Sequence, residues 1–328
     1  MGRQVSGVAR EQGPTPVGAR EVRMAHRRVL GHVRRTPTLT LARDELGMAP
    51  GEAVVAKLDL LQPTGSFKVR GAVSLLTGAD VPEAGVVAAS GGNFGLAIAW
   101  AAARLGCRAT IVVPASSPRE KIDPIRSFGA EVRVVEGFYA EALAEARRIE
   151  ARTGALPAHA YDQRAVVAGQ GTAVAELLED VRIDTVLVAC GGGGLLAGSI
   201  AAAGPDVRVV SVETPGTATM QAALAAGAPV DVEVSGIAAS ALGARRIGEL
   251  AWAARHGLHD ALVVSDEDVL TAQRTLWSVA RLVAEPGGAT ALAALRCGAY
   301  TPEPDERVAV LVCGANTDPG SVVTPSAR

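Results

Sequence analysis

Lysine is scarce: of 32 basic residues in a chain of 328, only Lys57, Lys68 and Lys121 are lysines. Compositional drift in a chain crowded with Ala and Gly explains the imbalance, and it shortens the list of amines available for covalent chemistry. The cysteines Cys107, Cys190, Cys297 and Cys313 form no CxxC pair and no metal-ligand spacing, and no secretory signal precedes them, so a reducing cytoplasm is expected. A chain of this size buries roughly 75% of its unfolded surface and needs no disulfide staple. Net charge is −2 with acids and bases interspersed, which leaves no basic stripe for nucleic acid and no polybasic membrane arm. Two windows, 84–103 and 185–205, lack charge, but glycine clusters in their middles argue for strand, loop and helix rather than a membrane span. His256 and His259 form an HxxH pair without further ligands at metal spacing and read as surface groups.

What is present is 48% hydrophobic side chains with 20% charged, the composition of a well-buried chain. Residues 1–19 lack periodicity and read as a loose tail, followed by a helix from Arg20 to Val33. Short β-branched runs at Val86–Ala89, Thr110–Val113, Val132–Val135, Thr185–Ala189, Val207–Val212 and Val308–Val312 then alternate with helix-length segments such as Leu96–Leu105, Phe138–Arg152 and Leu195–Ala203. This is the βαβ pattern of a parallel α/β fold. Residues 79–160 carry their own strand and helix units, so a small domain is expected there, inserted into a larger one formed by 20–78 plus 161–328. A ligand cleft would lie between the two.

Two glycine loops stand between strand and helix. In Cys190-Gly-Gly-Gly-Gly-Leu-Leu, free amides and a helix N-terminus suit a phosphate. The same stretch, as Gly192-x-Gly194-x-x-Ala197 with Glu213 closing the next strand, also fits a dinucleotide fingerprint, which keeps a nicotinamide oxidoreductase open. The second loop, Ser90-Gly-Gly-Asn-Phe-Gly95, can present amides to a carboxylate, with Asn93 as donor or acceptor.

Lys68 sits in Pro63-Thr-Gly-Ser-Phe-Lys-Val-Arg-Gly-Ala72 at the start of a helical run, where Phe67 and the helix start lower the amine pKa and favour Schiff-base chemistry. Lys57 and Lys121 read as solvated charges. PTGSFKVRGA, SGGNFG, GGGGLLAG and CGANTD, in that order, resemble the fold type II pyridoxal-phosphate enzymes, specifically the serine/threonine dehydratase family, over residues 20–320. The resemblance implies two parallel-sheet α/β domains with the cofactor between them. It matches Lys68 to the lysine that carries the cofactor and general-base role, and Phe67 to the aromatic beside it. Gly191, Gly192, Gly193, Gly194 and Leu195 match the phosphate loop, Asn93 the amide on the cofactor's 3′ oxygen, and Ser90, Gly91 and Gly92, with Asn93, the turn holding the substrate carboxylate. Cys313 matches the Ser or Cys facing the pyridine nitrogen. A neutral thiol there makes the ring a poorer electron sink and favours loss of a β-leaving group.

The implied activity is deamination of L-threonine or L-serine to a 2-oxo acid and ammonia, with a racemase of the same fold as the in-family alternative. Related racemases carry Ser where Gly91 lies, and many relatives have His where Phe94 lies, which points to a less polar substrate side chain. Glu213 keeps the first acid of a cation site found in some relatives, but Thr219 stands at the later position, so no metal ligand is assigned. Glu285 matches a position near the cofactor ring. A homodimer is expected from the resemblance. The chain ends ten residues after CGANTD, so no regulatory domain and no isoleucine feedback are expected.

Overall fold

The computed structural model describes residues 13–323, so residues 1–12 of the expected tail lie outside it. Helix α1 is Ala19–Val29. It stops short of Val33 because the chain turns at Gly31, whose φ of 78° lies in the left-handed region. Ten strands follow: β1 Thr38–Leu41, β2 Val54–Lys57, β3 Val86–Ala89, β4 Ala109–Pro114, β5 Glu131–Val135, β6 Leu156–Ala158, β7 Thr185–Ala189, β8 Arg208–Glu213, β9 Asp260–Val263 and β10 Val308–Leu311. The helices that frame the site are α2 Lys68–Gly78, α3 Asn93–Leu105, α4 Arg119–Ser127, α5 Tyr139–Thr153, α6 Arg164–Asp180, α7 Gly194–Ala203 and α8 Thr219–Ala226.

The strands form two sheets. One has six strands in the order β1-β2-β10-β7-β8-β9, and the other four in the order β5-β4-β3-β6. All pairings are parallel except β1 with β2 at one edge. Helices cover both faces, so successive residues of a central strand enter different cores: Val186 and Val188 of β7 pack on one side, Leu187 on the other. In the smaller sheet Ile111 and Val113 face one core and Val112 the other. Such two-sided burial is why these strands read as continuous apolar runs. The strands not expected from sequence are mostly edge strands, and β6 contains Pro157, which only an edge tolerates.

Helix α6 packs between α2 and α7. Glycine meets glycine at both contacts: a Cβ on Gly169 would lie 2.9 Å from the Gly71 Cα, and one on Gly171 would lie 2.9 Å from the Gly198 Cα. Around this core sits a buried charge network. Arg70 donates to Asp59 at 2.7 Å and to Glu176 at 3.1 Å, and Lys57 donates to Glu176 at 2.6 Å and to the Thr36 carbonyl at 2.6 Å. Burial disfavours the Asp59 charge, but the Arg70 guanidinium overrides it and holds the carboxyl below its usual range. Lys57 is therefore not the solvated charge its sequence suggested: it is 0% exposed, because β2 is a covered strand and Glu176 supplies its counter-charge.

Removing one partner from a buried pair strands the other. Arg70→Met should lower the unfolding free energy by about 3–5 kcal/mol, whereas Arg35→Met, which breaks an exposed pair with Glu179 and Asp180, should cost under about 1 kcal/mol. Denaturant titration of both variants reads the difference.

Candidate functional site

The site forms where the lysine segment meets the end of β10. Phe67 N donates to the Cys313 carbonyl at 2.9 Å, Ala315 N to the Gly65 carbonyl at 2.8 Å, and Ser66 bridges Gly314. This pairing sets the first turn of α2, and with it Lys68, beside Cys313. The Lys68 Nζ donates to the Ala160 carbonyl at 3.0 Å and stands 4.9 Å from the centre of the Phe67 ring. Burial pulls the amine down to about 8, against the opposing pull of Cys313 and Glu285.

A small enclosed cavity of about 30 Å³ is lined by Phe67, Lys68, Tyr161, Gly191, Gly192, Gly193, Gly194, Leu195, Leu242 and Cys313, among others. The glycine loop in its wall is polarised by its own hydrogen bonds. The Gly192 carbonyl accepts from Gly248 N at 3.0 Å, the Gly193 carbonyl from Ala197 N at 2.8 Å, and the Gly191 carbonyl from the Thr219 hydroxyl. The amides of Gly191, Gly192, Gly193, Gly194 and Leu195 donate to no acceptor among the described residues. Tied carbonyls and free amides at the N-terminus of α7 make an anion cradle. Gly193 has φ 84°, which L side chains rarely adopt, and a Cβ on Gly192 would lie 2.3 Å from the Tyr161 ring, so side chains are excluded from the loop.

The turn after β3 faces a wider cleft of about 680 Å³, lined by Gly91, Gly92, Asn93, Lys121, Ser240, Asn316 and Asp318, among others. Here too the amides of Gly91, Gly92 and Asn93 are free among the described residues. Ser90 stands half-buried at the head of the turn, outside the residues lining the cleft. Asn93 donates from Nδ2 to Glu285 at 2.7 Å and accepts at Oδ1 from Asn316 at 2.8 Å, which fixes the orientation of its amide and leaves one N–H available. Burial pushes the Glu285 carboxyl up to about 7, opposed by the Asn93 bond and by Lys121 and Lys68. Glu285 thus links the cleft to the lysine. Lys121 is not a solvated charge but a half-buried wall of the cleft, because α4 turns it inward.

Cys313 is 3% exposed, with its thiol against the Gly287 carbonyl at 3.5 Å. Burial, reinforced by the Glu285 charge, pushes the thiol far up, so it stays neutral. Phe94 is 2% exposed in the core of the smaller sheet and does not line the cleft, so it does not set the polarity of a substrate side chain. Glu213 ends β8 fully buried, with both oxygens accepting amides of α8, from Met220 at 2.8 Å and Gln221 at 2.9 Å. It has nothing left for a ribose, which removes the dinucleotide reading of residues 185–213. Among the described residues no group of three or more His, Cys, Asp and Glu could hold a metal, and His256 and His259 are exposed. No helix of the described residues is long and apolar enough to cross a membrane.

Tyr161, the Ala160 carbonyl, Gln170 and Thr219 belong to the site without having been anticipated. None lies in a glycine-rich or lysine motif. Asn316 does lie in the CGANTD stretch, where it could have been read.

These surroundings fit pyridoxal phosphate: an amine of lowered pKa, a cradle of free amides and a neutral group opposite. A family profile described as pyridoxal-phosphate dependent enzyme matches residues 29–314. The biosynthetic L-threonine dehydratase of Escherichia coli is 35% identical over 283 residues, covering 84% of this chain and 55% of that protein, so the chain spans little more than half of that relative. A serine racemase of Arabidopsis thaliana is 31% identical, covering 92% of this chain and 93% of that protein. A solved serine racemase from maize superposes with a TM-score of 0.86 at 28% identity, covering 94% of this chain and 95% of that one. A solved bacterial-type relative, a threonine deaminase, superposes with a TM-score of 0.85 at 34% identity, covering 94% of this chain and all of that one. The likeness extends the type II pyridoxal-phosphate fold from the motifs to the whole chain.

A Lys68 amine near 8 is largely free base in mild alkali, well below the 10.5 of an ordinary lysine. Capture of pyridoxal phosphate by the cofactor-free protein, followed by absorbance, should rise with pH with a midpoint near 8.

Proposed function

The chain belongs to the pyridoxal-phosphate dependent enzymes, and from that premise we propose that it deaminates a β-hydroxy amino acid, L-serine or L-threonine, to a 2-oxo acid and ammonia. When bound, the cofactor supplies a sink for the electron pair left at Cα. The phosphate would rest on the amides of Gly191 to Leu195, the 3′ oxygen on the free N–H of Asn93, and the substrate carboxylate on the turn Ser90, Gly91, Gly92 and Asn93. Lys68, once displaced by the substrate amine, takes the Cα proton as general base, for which an amine near 8 is well matched.

The observation that carries the reading is the neutral, buried Cys313 thiol at the position assigned to the ring nitrogen. No carboxylate stands there to stabilise a protonated ring, so charge held at Cα is poorly stabilised, and departure of the β-hydroxyl along with the proton is the easier course. The aminoacrylate released is converted to its imine and hydrolysed in water, serine giving pyruvate and threonine 2-oxobutanoate. We place the work in two units, 20–78 plus 161–328 around the six-stranded sheet and 79–160 around the four-stranded sheet, as a cytoplasmic homodimer.

Racemisation is the second reading, and one observation favours it. Gly91 carries no acid or base, but the Ser117 hydroxyl lies 2.7 Å from where a Cβ on Gly91 would stand, so a hydroxyl occupies that space from another loop. Incubation with L-serine should release 2-oxo acid in large excess over D-serine, and Ser117→Ala should retain that release. Dominant D-serine, lost in Ser117→Ala, would overturn the deamination reading.

A further inference from the structure

The three carbonyls of the glycine loop are tied in different ways. Backbone amides hold those of Gly192 and Gly193, but the Gly191 carbonyl depends on a side chain, the Thr219 hydroxyl at the start of α8. Among the described residues the only other donor on it is the Cys190 thiol at 3.7 Å, a weak one. Thr219 is 0% exposed and is itself held: its Oγ1 lies 3.3 Å from Glu213 Oε1, and the Glu213 carboxyl is anchored by the Met220 and Gln221 amides.

The Gly191 carbonyl and the Gly192 N–H belong to one planar trans peptide and point in opposite directions. Pinning the carbonyl toward Thr219 therefore aims the Gly192 N–H away from α8. Four glycines in succession have wide backbone freedom, and without a tether this peptide can rotate and withdraw its amide. We propose that Thr219, seated by Glu213, is a positioning residue for the phosphate of the cofactor: it fixes the first peptide of the loop so that the Gly192 amide is presented to the anion. This rests on the reading of residues 191–195 as the phosphate loop. The tether is made of protein groups alone and needs no cation.

Equilibrium binding of pyridoxal phosphate and of pyridoxal, which lacks the phosphate, to wild type, Thr219→Val and Thr219→Ser separates the two ideas. Valine keeps the shape of threonine and removes the donor. Thr219→Val should weaken pyridoxal phosphate by about tenfold, the worth of one hydrogen bond, while leaving pyridoxal within about twofold, and Thr219→Ser should restore wild-type affinity. Unchanged affinity for pyridoxal phosphate in Thr219→Val, or an equal loss for both ligands, would overturn the tether. A wild-type protein that binds pyridoxal as tightly as pyridoxal phosphate would instead overturn the phosphate-loop reading on which it rests.

Discussion

Helix α6 sets the distance between the amine and the anion cradle. Its glycines let α2 and α7 approach to backbone contact, at Gly71 with Gly169 on one side and Gly171 with Gly198 on the other. Lys68 opens α2 and the glycine loop opens α7, so the two functional helix starts are registered against one rigid body. Two further contacts lock the register. Glu176 of α6 binds Arg70 of α2 and Lys57 of β2, and Gln170 of α6 donates at 2.9 Å to the Ala160 carbonyl that also receives Lys68. A buried charge network of this kind is poor evidence of net stability, but it penalises any displacement that would unpair its members.

Within that frame the electrostatics divide the labour. The cradle holds an anion with no cationic side chain, using tied carbonyls and free amides, so no charge there competes with Lys68. Burial then acts with opposite sign on the groups around it: it lowers the Lys68 amine and raises the Glu285 carboxyl and the Cys313 thiol. All three move toward neutrality near physiological pH. A neutral amine can accept a proton, and a neutral thiol leaves the pyridine nitrogen without a counter-ion. The same desolvation therefore prepares the base and limits the electron sink.

The central strands and the two glycine loops were legible because a strand covered on both faces writes a continuous apolar run and a tight strand-to-helix turn writes glycine. Lys68 was legible from its neighbours in the chain. The edges were not: β1, β2, β6 and β9 are short, and Pro157 disguises one of them. Lys57 and Lys121 were misread because burial of a lysine depends on a counter-charge or a cleft supplied from far along the chain, Glu176 in one case and the loop at 315–318 in the other. Phe94 lies next to Asn93 yet faces away from it, since adjacent residues on a helix do not share a face. Tyr161, Gln170 and Thr219 join the site only through tertiary contacts, which no local pattern encodes.

The three lysines also allow the most direct test. One is locked in a buried ion pair, one lines the cleft from α4, and one stands free of any acid with a lowered pKa. Borohydride reduction of the protein loaded with pyridoxal phosphate, followed by peptide mapping by mass spectrometry, would record which amine bears the cofactor. The expected result is a single modification on Lys68, absent when Lys68 is replaced by Ala. Stoichiometric labelling of Lys57 or Lys121, or none at all, would contradict the site built here.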